Sequence, residues 1–108
     1  MQSATYSLIR AAIGNERQIT CTYQGYYREI CPHIIGWRDG DERLLAFQFG
    51  GNTSSGLPPG GAWKCFSIAE MNDVKARDGR WHTGTSHSTS QKCVAEIDLD
   101  INVHVRRR

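Results

Sequence analysis

Arg28, His33 and Gln48, the glycine- and serine-rich run carrying Gly50, Gly51, Ser54 and Ser55, and the pair Trp63-Lys64 are the residues of this chain whose types could do chemistry. A guanidinium holds a phosphate or carboxylate through two parallel hydrogen bonds. Successive glycine amides and serine hydroxyls offer donors to an anion, and an indole offers a face on which a base stacks. The set describes recognition of a phosphate-bearing ligand in a shallow polar groove. Each member also has a plain structural reading. Arg28 could be an exposed strand residue paired with Glu29 or Asp39, and His33 a satisfied structural histidine. Gln48 could pin the loop that follows it, and Trp63 could lid a core. Tyr23 shares its strand face with Ile19 and Cys21, so it is read as packed.

Catalytic patterns are weak. There is no Gly-x-Ser-x-Gly elbow and no phosphate-loop spacing, and His82, His87 and Ser88 fall in a polar segment. Asp98 and Asp100 alternate on one strand face, which contact with solvent explains without acid–base chemistry. Cys31-Pro32-His33 comes nearest to a zinc half-site and lacks a second pair of ligands. The expectation is a non-enzymatic protein with no catalytic residues, no cofactor and no metal.

The elements that must position these residues can be read from periodicity. Ser3 is an N-cap candidate, and Leu8, Ile9, Ala12 and Ile13 recur at helical spacing, predicting a helix over 4–13. From Arg17 the period becomes two. A strand through Ile19, Cys21 and Tyr23 turns at Gln24-Gly25 into a second strand near 26–37, where Pro32 requires an edge or a bulge. Asp39-Gly40 turns into a third strand over 43–49, apolar on both faces and hence central. The run from Gly50 to Ala62 holds five glycines and two prolines and is read as loop. A fourth strand is predicted over 63–69, a helical turn at 71–74, and a mobile stretch over 82–90. The alternation from Cys93 to Val105 predicts a long last strand of about 40 Å. Its apolar stripe makes self-association through that strand the alternative function, with a homo-oligomer as partner.

The pattern Tyr23-Gln24-Gly25, Arg28, Pro32-His33, Leu44-Leu45-Ala46-Phe47-Gln48, Gly50-Gly51, Ser54-Ser55-Gly56 and Trp63-Lys64 resembles the WYL-domain superfamily in its short, stand-alone bacterial and phage-associated members. The resemblance covers about residues 4–75. It departs at the tripeptide that names the family, which falls on Arg43-Leu44-Leu45, and no helix-turn-helix region precedes the strands. The resemblance implies a mainly β fold: a small SH3/Sm-like β-barrel with an N-terminal α-helix and a long C-terminal strand. It also implies a ligand-sensing or nucleic-acid-binding role in a regulatory or defence-linked setting, with a nucleotide or single-stranded nucleic acid as partner.

Bulk properties agree with one small domain over 1–108: a core over 4–75, a polar loop over 76–92, a strand over 93–105 and a basic tail, Arg106–Arg108. The chain is 39% apolar and 22% charged, and its formal net charge of +2 is too small to argue for nucleic acid alone. No window approaches the ~20 apolar residues of a membrane span. No secretory signal is visible. The expected location is therefore cytoplasmic, with Cys21, Cys31, Cys65 and Cys93 as buried thiols.

Overall fold

A computed structural model describes residues 2–84 and 91–102. Helix α1 (Ala4–Gly14) starts where Ser3 Oγ accepts a hydrogen bond from Tyr6 N at 3.1 Å. The same hydroxyl donates to Glu42 Oε1 at 2.6 Å, so the cap also docks the helix onto the sheet. Tyr6, Ile9, Ala12 and Ile13 form the buried stripe, and Asn15 closes the last turn on the Ala11 carbonyl.

The strands are β1 (Gln18–Tyr23), β2 (Tyr26–Arg38), β3 (Asp41–Gly51), β4 (Ala62–Ser67), β5 (Met71–Arg77) and β6 (Glu96–Asp100). All pair antiparallel, in the order β4-β3-β2-β1-β5, with β6 beside the far half of β2. The two tight hairpins fall where they were predicted. Gln24 and Gly25, like Asp39 and Gly40, have positive φ at both turn positions, as a two-residue turn matched to strand twist requires.

Pro32 produces the bulge its missing N–H demands. The β2–β3 register slips between Pro32 and Ile34, exchanging the faces of the strand. Before the slip, Arg28 and Ile30 point to the inner face under α1; after it, Ile35 and Trp37 do. The inner face carries the main core, with Ile19, Ile30, Ile35, Leu44 and Phe66 fully buried against the helix. A smaller cluster of Ile34, Leu45, Cys93 and Val94 lies on the outer face, with Trp63 against it.

Several expectations are corrected. Residues 71–74 continue as strand β5, because they pair with β1; the turn that precedes them is a 3-10 turn, Ile68–Glu70. The last strand is five residues long, since Ile101 and Asn102 leave it for a helical turn, and 103–108 lie outside the described residues. Of the segment read as mobile, 82–84 make defined contacts and 85–90 lie outside the described residues. The sheet is not a closed barrel: no ladder joins β4 to β5. It does curl, because Tyr23 Oη on β1 accepts from Ser67 N on β4 at 3.0 Å.

Cys65 and Cys93 form a disulfide, with Cα atoms 5.5 Å apart, and only Cys21 and Cys31 remain free. Cys65 sits on the outer face, opposite the one that buries Phe66, so it reaches the segment leading into β6. This removes the reduced-thiol premise of the cytoplasmic expectation for two of the four cysteines. The free thiols are inert: burial pushes both up to about 11. No helix among the described residues is long and apolar enough to cross a membrane.

Two predictions follow from these ties. The disulfide closes a loop of sequence separation 28, so Cys65→Ser at its exposed end should lower unfolding stability by ~3 kcal/mol in urea; an unchanged midpoint would contradict a formed crosslink. The second concerns Asp98, whose carboxylate accepts from Tyr6 Oη at 2.7 Å and Arg10 Nε at 2.9 Å. These partners hold its carboxyl below the ordinary value. Its contribution to stability is therefore complete above the ordinary carboxylate range of about pH 4 and lost as pH falls through the depressed value. Asp98→Asn should flatten the acid limb of a stability–pH curve, and an identical limb would show that the ties contribute nothing.

Candidate anion-binding site

The sheet divides the residues singled out above into two groups on opposite faces. On the inner face, Arg28 is 4% exposed and Gln48 fully buried. Arg28 Nη1 donates to Gln48 Oε1 at 3.3 Å and Nη2 to the Tyr23 carbonyl at 3.1 Å. The guanidinium carbon lies 5.2 Å from the ring centroid of Tyr23, 5.8 Å from Phe66 and 6.0 Å from Tyr26. Neither Glu29 nor Asp39 pairs with it. Glu29 is taken by Arg77 at 3.1 Å, and among the described residues Arg28 has no carboxylate partner.

The charge is thus held by two neutral oxygens and three ring faces. Its Nε has no hydrogen-bond partner among the described residues. Burying an ionised group so thinly compensated is costly, and the field it leaves favours a negative charge nearby. Cys21 stands directly across the ladder from Arg28 and feels that field, which lowers its thiol against the larger upward push of burial.

Gln48, which accepts from Arg28, also holds the chain that leaves β3. Gln48 Nε2 donates to the carbonyls of Gly50 at 3.0 Å and Asn52 at 3.1 Å, so the amide pins the loop as one reading anticipated. Asn52 N returns to the Tyr27 carbonyl at 2.8 Å. Gly51 is the register partner of Arg28, at φ +83°; a Cβ there would run into the Tyr27 carbonyl oxygen and the Arg28 backbone. Thr53 is 5% exposed, and its hydroxyl also lacks a partner among the described residues. Sequence reasoning missed Thr53, because nothing marks one threonine in a polar loop as buried. Ser54 and Ser55 are exposed in the turn closed by Gly56 N on Thr53 O.

The remaining residues do not join this mouth. His33 faces the outer side, where Nδ1 meets the Cys31 carbonyl at 2.7 Å and Nε2 meets Thr83 Oγ1 at 3.1 Å. Its ring lies 4.7 Å from Trp63 and 5.0 Å from Trp81. Both are satisfied packing residues of an outer aromatic cluster that also holds Phe47. The missed signal was Trp81-His82 within a stretch otherwise reading as polar loop. Lys64 stands opposite Ala46 on the inner side of β4, half-buried. Among the described residues, no three His, Cys, Asp or Glu side chains are grouped to hold a metal ion.

The buried charge has a measurable signature. Arg28→Met removes the charge and leaves two carbonyl oxygens without donors, effects of opposite sign and each about 1–3 kcal/mol. Arg28→Ala adds a cavity, costing ~2–4 kcal/mol more. Urea unfolding should therefore separate alanine from methionine by at least about 2 kcal/mol; equal losses would mean that the side chain is not packed as described. Compared with protein-family models, curated proteins and solved structures, the chain matches none.

Proposed function

We propose that the chain is a small, non-enzymatic ligand-binding module of WYL type, and that its ligand is phosphate-bearing: a nucleotide or a single-stranded nucleic acid. The observation that carries the reading is the buried Arg28 guanidinium, which has no carboxylate partner among the described residues and shares Gln48 with the segment from Gly50 to Asn52. Arg28 Nε and Thr53 Oγ1, both lacking hydrogen-bond partners there, are the donors an anionic oxygen would use. Support for the barrel comes from the strand order β4-β3-β2-β1-β5 and from the 3-10 turn linking β4 to β5 across the open side.

Entry requires the loop to lift. Beyond the β2–β3 ladder, which ends at Gly51, three hydrogen bonds hold it, two from Gln48 and one from Asn52 N. Releasing them costs about 2–4 kcal/mol, which lowers the apparent affinity by the same amount. The positive φ of Gly51 and Gly56 marks where the backbone can pivot.

Assembly through the C-terminal strand is the alternative reading. Exposed Ile97 favours it. Against it, β6 is short, and antiparallel self-pairing centred on Asp98 would set Glu96 opposite Asp100, like charges face to face.

Titration with inorganic phosphate and with adenosine monophosphate, followed by amide NMR, tests the proposal. Expected are shifts at Gly51, Asn52, Thr53 and the Gln48 side-chain amide, with affinity reduced at least ~10-fold in Arg28→Met. Absent shifts, or the same affinity in Arg28→Met, would refute it.

A further inference from the structure

From the outer face of the sheet we infer a second recognition element: a surface on which unpaired nucleobases stack, using Tyr27 and Phe49. The inference rests on the reading of the chain as a nucleotide- or strand-binding module, and its test separates the failure of each.

The strand registers lay this face out as a grid. Tyr27 stands beside Thr22, and Glu29 beside Thr20. Thr20 in turn stands beside Lys75, and Gln18 beside Arg77, at the β5 edge. The floor is polar, with Thr20 and Thr22 half-buried and Gln18 covered by Gly79. Out of it rises Tyr27, 51% exposed, one of three large apolar or aromatic side chains the described residues leave in solvent. A lone exposed ring is unremarkable; the position next to it is not.

At that position the chain already places a nitrogen heterocycle on an aromatic face. Half-buried Phe49, at the bulge between Gln48 and Gly50, carries the His82 imidazole at 4.0 Å between centroids and 13° between planes. That is the arrangement a base adopts on a phenyl ring. His82 is held there by its backbone N–H on Cys31 Sγ, at 3.3 Å. Its side chain is thus an internal stand-in for a base, one that an incoming base displaces. Tyr27 is two residues along β2 from Glu29, the partner of Gly50, so the two stacking positions are about 7 Å apart along the strand. A strand crossing Tyr27 also reaches Asn52, whose backbone N–H donates to the Tyr27 carbonyl.

Electrostatics set the character of this binding. Arg77 is paired with Glu29 at 3.1 Å and Lys75 with Asp73 at 3.5 Å, which leaves the face close to neutral. Stacking, and not counterion release, therefore dominates, and the salt dependence is shallow. The slope of log K against log salt should be about −1, as for one or two phosphates on a single strand.

The test is fluorescence anisotropy with a labelled oligothymidylate of about 12 nucleotides. It is run on the full chain, on Tyr27→Ala, Phe49→Ala and His82→Ala, and in parallel with the inorganic phosphate titration. Expected is a loss of about 10-fold or more in strand affinity for Tyr27→Ala and for Phe49→Ala. Phosphate binding and the urea midpoint of Tyr27→Ala should be unchanged, and His82→Ala should bind the strand as tightly as the natural chain or tighter. No binding of the strand, or equal affinity in the Tyr27 and Phe49 variants, overturns the inference even where phosphate still binds at Arg28. Weakening by His82→Ala equal to that of Phe49→Ala overturns it too, since the imidazole would then be part of the platform. Strand binding that needs Tyr27 while phosphate binding is absent upholds the outer surface and removes the Arg28 site.

Discussion

The whole arrangement hangs on a slipped register at Pro32. A ring nitrogen without a hydrogen cannot serve the ladder, so β2 gains a residue there and its two halves present opposite alternations. The first half sends Arg28 and Ile30 to the inner face, and the second sends Ile35 and Trp37 there. One thirteen-residue strand thereby feeds a continuous inner core, while His33 and Ile34 turn outward. The same strand borders β1, β3 and β6, so the slip also decides which half of β2 receives each neighbour.

With the inner face assigned, the fate of Arg28 is constrained. Its position lies among residues that bury, yet an arginine cannot shed its charge as a lysine or carboxyl can. The fold accommodates it by surrounding the guanidinium with aromatic faces and two carbonyl oxygens, one of them from Gln48, whose amide nitrogen pins the glycine-bearing loop. A core designed for stability alone would place an apolar side chain there, because a poorly compensated buried charge is seldom worth its desolvation. Retention of the charge is what turns a packing description into a functional one.

Much of the secondary structure was legible because local rules dominate it. Ser3 caps, Gln24-Gly25 and Asp39-Gly40 turn, and the two-faced apolar run of β3 is central, each for a reason contained within a few residues. The bulge at Pro32 was legible as well, but not its consequence. Arg28 and His33 are five residues apart, so plain alternation already sets them on opposite faces; what the bulge exchanges is the facing of Ile34 and the residues after it. Residues 71–74 were read as a helical turn because their strand character comes from pairing with β1, a contact fifty residues away in sequence. The Cys65–Cys93 bond was hidden for a similar reason. Alternation within β4 already set Cys65 apart from Phe66, but no short-range pattern says which distant cysteine stands within reach. The proposed site was thus half visible: Arg28 bonds Gln48 and Gln48 bonds the Gly50 carbonyl, whereas His33 and Trp63 belong to the outer aromatic cluster.

The most direct measurement of the central claim is the side-chain Nε–H signal of Arg28 in a proton–nitrogen NMR spectrum, identified by its loss in Arg28→Met. A guanidinium buried among the rings of Tyr23, Tyr26 and Phe66 predicts a resolved, slowly exchanging signal at neutral pH that moves on addition of inorganic phosphate. A signal exchanging with water as fast as those of exposed arginines, and unmoved by phosphate, would contradict both the burial and the recognition built upon it.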